Sequence, residues 1–142
     1  VRELRGLQEV TINLNGHQIT AQPQLTHSTE TLLWAKKNKK AKHIFHYEVM
    51  KAQNGGKQMK SVWQIAPPNK AEKQFGKHPT QKPTALAERC IQAASNIGDL
   101  IFDPFMGSGT TGVAALKNGR NFCGCEWEPD YFELAKKRLK ND

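Results

Sequence analysis

The sequence predicts an α/β fold built on parallel strands with right-handed crossovers, and three observations carry that prediction. Residues 82–142 alternate helix, strand, helix, strand and helix by their apolar spacing. Start and stop residues punctuate them, Pro83, Asn118-Gly119 and Pro129 among others. A glycine-rich turn, GSGTT at 107–111, leaves the first strand and opens the second helix.

In KPTALAERCIQAAS, Leu86, Cys90, Ile91 and Ala94 recur at helical spacing, with Pro83 near the first turn and Gly98 expected to end the helix. DLIFDPF follows as a short buried strand. TTGVAALKNG is the second helix, stopped at Asn118-Gly119. NFCGCEW is the second strand. PDYFELAKKRLKN is the third helix, with Asp130 early and lysines late, as the helix dipole favours.

Residues 1–35 read as β-rich. EVTINL and HQIT flank Asn15-Gly16, the signal for a type I′ hairpin. THSTETLLWA alternates poorly and fits either a strand or a short helix. Residues 36–81 carry breakers at Asn54-Gly55-Gly56, Pro67-Pro68, Gly76 and Pro79, which predict an irregular insertion.

At 142 residues, 37% apolar and 24% charged, the chain can bury one globular core. It holds no apolar run of about 18 residues, and VRELRGLQEV lacks the apolar stretch of a signal peptide, so no membrane partner and a cytoplasmic location are expected. Cys90, Cys123 and Cys125 form no CxxC pair, so reduced thiols and no metal site are expected. The net charge is +8, and residues 36–82 hold twelve lysines against Glu48 and Glu72. Lys36, Lys37, Lys39, Lys40, Lys42, Lys57 and Lys60 are therefore candidates for the phosphates of double-stranded DNA. A merely solvated lysine face is the competing reading.

Gly107, Gly109 and Gly112 fit G-x-G-x-x-G between a strand and a helix, and Glu126 ends the next strand 19 residues after Gly107. Glycines let a ligand approach the backbone, the helix start offers free N–H groups, and the acid can accept from both hydroxyls of a ribose. No Lys-Ser or Lys-Thr follows Gly109, which excludes a P-loop. A dinucleotide and S-adenosylmethionine remain. Asp103, just before the turn, suits a positive sulfonium better than a pyrophosphate.

DPFMGSGTT, followed by GCEWEPDYFELAKKRL and preceded by GKHPTQKP, resembles the β-class DNA amino-methyltransferases, which methylate adenine N6 or cytosine N4, usually in restriction-modification systems. The likeness is strong over residues 76–142 and looser through THSTETLLWAKK. It implies an incomplete, Rossmann-like methyltransferase sheet, its cofactor-binding half at 82–142, with the lysine-rich insertion at 36–81 as target-recognition segment and 1–35 as part of the sheet. It also implies that Asp103, Phe105, Gly107, Ser108, Gly109 and Thr110 surround the methionine part of S-adenosylmethionine, that Glu126 binds its ribose, and that Trp127 packs on its adenine. HPTQKP would close over the amino-acid end, with Lys82 as carboxylate partner and His78 as a hydrogen-bonding loop residue rather than a base.

The family's catalytic motif, a polar residue with Pro-Pro and an aromatic, is absent: the only Pro-Pro lies in Ala66-Pro67-Pro68-Asn69. No catalytic residue is therefore assigned. The resemblance implies a site-specific DNA methyltransferase, or its cofactor-binding C-terminal part, acting on adenine N6 in preference to cytosine N4. A missing N-terminal half or a second subunit would supply the motif. The alternatives are a catalytically inactive DNA-binding remnant and, more distantly, a fragment of an NAD-dependent oxidoreductase.

Overall fold

The computed structural model describes residues 8–14, 29–36, 38 and 40–141, the first of these spans as backbone only. Its elements run β1 (Gln8–Leu14), β2 (Thr29–Trp34), α1 (Tyr47–Gln53), β3 (Val62–Ile65), α2 (Thr84–Ala94), β4 (Leu100–Asp103), α3 (Thr110–Lys117), β5 (Asn121–Gly124) and α4 (Pro129–Asn141). A single 3-10 turn, Ala71–Lys73, lies between β3 and α2.

The strands form two sheets. One has the order β2-β1-β3, with β1 antiparallel to β2 and parallel to β3; the other is the parallel pair β4-β5. The parallel α/β alternation expected from residue 82 onward is therefore present. Asn15-Gly16 and HQIT lie outside the described residues; β1 pairs with β2, so Thr29–Trp34 of THSTETLLWA is a strand.

The lysine-rich segment holds more order than its composition implies. Much of it is connecting chain, but α1 and β3 form within it, and Met50, Trp63 and Ile65 are buried. Trp63 reaches the interior while its indole N–H donates to Lys60 O at 2.8 Å, so its one polar group stays satisfied.

Helix α2 joins the two sheets through adjacent stripes. Leu86 and Cys90 pack with Trp63 and Ile65, whereas Ala87 and Ile91 pack with Ala114, Ala115, Ile101 and Phe122. The helix ends earlier than Gly98 suggests, at Ala94, because Ser95 is extended and its hydroxyl donates to Ile91 O at 2.6 Å. Ala93 is buried, and Ala94 faces outward. Gly98 sits in the following turn at φ 85°, where its N–H donates to Gly119 O. Burial pushes the Cys90 thiol up to about 11, so it stays protonated at neutral pH.

α3 packs on β4 and β5, and α2 and α4 pack on α3. On β4, Leu100 and Phe102 alternate outward and remain 65% and 60% exposed. Parallel sheets ordinarily bury both faces. Among the described residues, β3 and β4 each also keep one unpaired edge.

Candidate cofactor site

The site forms where β4 and β5 end. Asp103 closes β4, and its Oδ1 accepts the Phe105 N–H at 3.1 Å. Met106 N donates to Cys125 O at 2.9 Å, and Cys125 N to Asp103 O at 3.0 Å, tying the two strand exits together. The chain then turns through Gly107 at φ 52° and Gly109 at φ 77°, conformations that disfavour side chains, and Gly109 caps α3. Thr110 begins that helix, and Ser108 and Thr110 are both buried.

Glu126 holds this turn. Its Oε2 accepts Gly107 N–H at 2.8 Å and its Oε1 accepts Glu128 N–H at 2.9 Å. The Glu128 N–H, with further help from Gly107, keeps the carboxyl below its ordinary value despite some desolvation. The group is thus ionised at neutral pH and purely an acceptor, with lone pairs left on both oxygens. Phe105 and Trp127 flank the turn at 87% and 96% exposure, so both rings have open faces.

His78 lies over the loop. Its ring stands 4.2 Å from that of Tyr131, Thr80 N–H donates to its Nδ1 at 3.3 Å, and a Cβ on Gly107 would meet its Nε2 at 3.2 Å. His78 therefore acts as a hydrogen-bonded packing residue of the loop. Lys82 reaches the same mouth, where its carbonyl accepts from the Thr110 hydroxyl at 3.2 Å. Its ammonium is already engaged, 2.6 Å from Glu30 Oε1 on β2. Sequence spacing gave no hint of that pairing, which links residues 52 apart.

The candidate DNA lysines gather elsewhere. Trp34 lies opposite Gln8, and Val62 opposite Thr11, so Lys36, Lys40 and Lys42 follow β2 and Lys57 and Lys60 precede β3 at one end of the three-stranded sheet. Glu30 and Lys82 stand toward the other end, roughly 13 Å along β2 at about 3.3 Å per residue. Lys40, Lys42, Lys57 and Lys60 are exposed and Lys36 is partly covered; Lys37 and Lys39 lie outside the described residues.

Two functional candidates escaped sequence reading. Arg138 of α4 donates from Nη1 to Ser108 O (2.9 Å), Ser108 Oγ (3.0 Å) and Thr110 Oγ1 (3.0 Å). The signal was present: Leu134, Ala135 and Arg138 share the buried stripe of an otherwise lysine-rich helix. Glu72 accepts the N–H and hydroxyl of Thr84 at 2.8 and 2.7 Å, fixing the start of α2 from a distance.

Comparison with known proteins agrees with this architecture. Residues 7–137 match the N6/N4 DNA methylase family. The chain is 57% identical over 116 residues to the Type II methyltransferase M2.DpnII of Streptococcus pneumoniae, and 56% identical over 115 residues to M2.LlaDCHI of Lactococcus lactis subsp. cremoris. Those matches cover 81% and 80% of this chain but 43% of each relative, so the chain spans less than half their length. Among solved structures, the M1.HpyAVI–SAM complex superposes with a TM-score of 0.77 at 38% identity, covering 94% of this chain and 63% of that one. The cytosine-N4-specific PvuII DNA methyltransferase shares the fold at a TM-score of 0.76 and 20% identity. The chain belongs to the N6/N4 DNA methylase family.

Proposed function

We propose that this chain is the S-adenosylmethionine-binding part of a DNA amino-methyltransferase of the restriction-modification type. The observation that carries the reading is the ionised Glu126 carboxylate, bridging the glycine turn and the end of β5 between the open rings of Phe105 and Trp127. Its chemistry fits the cofactor. Two carboxylates, Asp103 and Glu126, beside the turn would repel a pyrophosphate but suit a ribose diol and a sulfonium.

Bound there, S-adenosylmethionine supplies a methyl group activated by the positive sulfur. The chain's residues would position it. Glu126 would accept from the ribose hydroxyls, Trp127 would cover the adenine, and Asp103 with Phe105 and residues 107–110 would line the methionine part. Lys82 carries three donors, so an ammonium shared with Glu30 can still meet a carboxylate. Adenine N6 is the assigned target, following the family's prevailing specificity. Mass spectrometry of nucleosides from DNA treated with the completed enzyme decides it.

Calorimetry with S-adenosylhomocysteine tests the site. Glu126→Ala is expected to weaken binding about tenfold or more, the scale of a hydrogen bond to a charged group. Unchanged affinity would move the ribose site elsewhere, and no binding by the wild type would favour a DNA-binding remnant.

We assign the rest of the methyltransferase fold, as an upstream half or a second chain, to the bare face of Leu100 and Phe102 and the open edge of β4. The lysines would hold duplex phosphates flanking the target, since they lie away from the glycine turn. DNA affinity should then fall steeply with salt, with a logarithmic slope of about 0.9 per phosphate neutralised. Replacing Lys57 and Lys60 with Gln should flatten that slope. An unchanged slope would return these lysines to a solubilising face.

A further inference from the structure

Arg138 is 1% exposed, a costly place for a guanidinium unless its surroundings hold it closely. One of its nitrogens gathers three acceptors from the loop, two on Ser108 and one on Thr110. Those two hydroxyls lie 3.3 Å from each other, so the loop residue between the glycines and the first residue of α3 converge on one cation.

A carboxylate orders the segment that leads into α2. Burial pushes the Glu72 carboxyl up, but the Thr84 N–H and hydroxyl, the Asn69 N–H and the Arg138 charge together hold it below its ordinary value. Glu72 organises residues 69–84: it accepts from Asn69 N–H and Thr84, and its carbonyl accepts from the buried Gln81 amide at 2.7 Å. That segment carries His78 and Lys82.

We propose that Arg138 is a positioning residue for cofactor binding, fixing the Ser108–Thr110 turn from behind and, through the Thr110 hydroxyl that also donates to Lys82 O, tying that turn to the Glu72-organised segment. This rests on the cofactor reading above. Being buried, Arg138 offers no surface to the ligand and acts through the groups it holds. Removing the guanidinium alone leaves the buried Ser108 and Thr110 oxygens without this donor and should lower stability, so the positioning role is read from binding and loop exchange measured on folded protein.

The test uses the full 142-residue chain, with calorimetry against S-adenosylhomocysteine, urea unfolding and amide hydrogen exchange. Arg138→Met should unfold cooperatively, bind about tenfold or more weakly, and exchange the 107–111 amides faster while α2 amides stay protected. Arg138→Lys should recover part of the affinity, because an ammonium can still donate to the same oxygens. Glu72→Gln should weaken binding by less than its own effect when Arg138 is already Met. A folded Arg138→Met with wild-type affinity and loop exchange would overturn the proposal. Should that variant fail to fold, Arg138→Lys decides: affinity and loop exchange equal to wild type refute it, while weaker binding at equal stability supports it. No binding by the wild type would remove the cofactor reading and this inference with it.

Discussion

Expressed alone, the 142-residue chain is expected to transfer no detectable methyl group to duplex DNA, even where it binds S-adenosylhomocysteine. Methylating an exocyclic amine requires the base to leave the stack and be held in a pocket. A polar group must grip the amine and an aromatic must face the ring. No segment of these residues pairs Pro-Pro with both; Ala66-Pro67-Pro68-Asn69 has Ala in place of the polar residue before the prolines and Asn in place of the aromatic after them, and it lies in the connector after β3. Orientation lost entirely removes on the order of 7–11 kcal/mol of barrier lowering. Supplying the upstream half, fused or as a second chain, should restore transfer by seating a strand on the open edge of β4. A tritiated-methyl assay measures this, and turnover by the isolated chain would mean that the pocket is built from residues assigned here to packing.

Gly112→Ala should be the most damaging small substitution around the glycine turn. Gly112 lies within α3, so the effect is steric, not conformational. A Cβ there would stand 2.6 Å from Leu139 Cδ2 and 2.6 Å from Phe122 Cε1. Leu139 could shift, but Phe122 is packed against Ile91, Ala114 and Ala115. Helix α3 must therefore move off β5. Overpacking of this kind costs about 1–3 kcal/mol, sometimes more. At roughly 4 °C per kcal/mol for a domain of this size, the melting temperature should drop by several degrees. An unchanged midpoint would show that α3 repositions freely, and cofactor affinity should then change instead.

How much of this was legible from sequence follows from the range of each interaction. The glycine turn, Glu126 and α4 were readable because their signals are local: backbone conformation, spacing and helix ends. The order within residues 36–81 was hidden. Met50, Trp63 and Ile65 lie in a lysine-rich stretch with short apolar runs, and only α2, brought in from later in the chain, gives Leu86 and Cys90 for Trp63 and Ile65 to pack against. Gly98 misled as a helix stop, since the Ser95 hydroxyl ends α2 first. Lys82–Glu30, Arg138–Ser108 and Glu72–Thr84 join residues far apart, and no residue-type pattern announces which partner a charge will find.

The two stripes of α2 carry a consequence for the order of assembly. Leu100 pairs with Asn121, 21 residues on, whereas Thr11 pairs with Val62, 51 residues on. Closing the longer loop costs more entropy, and contacts distant in sequence form later. The run from α2 to α4 should therefore condense first, with the Ala87 and Ile91 stripe as its seed. The Leu86 and Cys90 stripe would then wait as a landing strip for Trp63 and Ile65, so that α2 times the arrival of the three-stranded sheet as well as anchoring it.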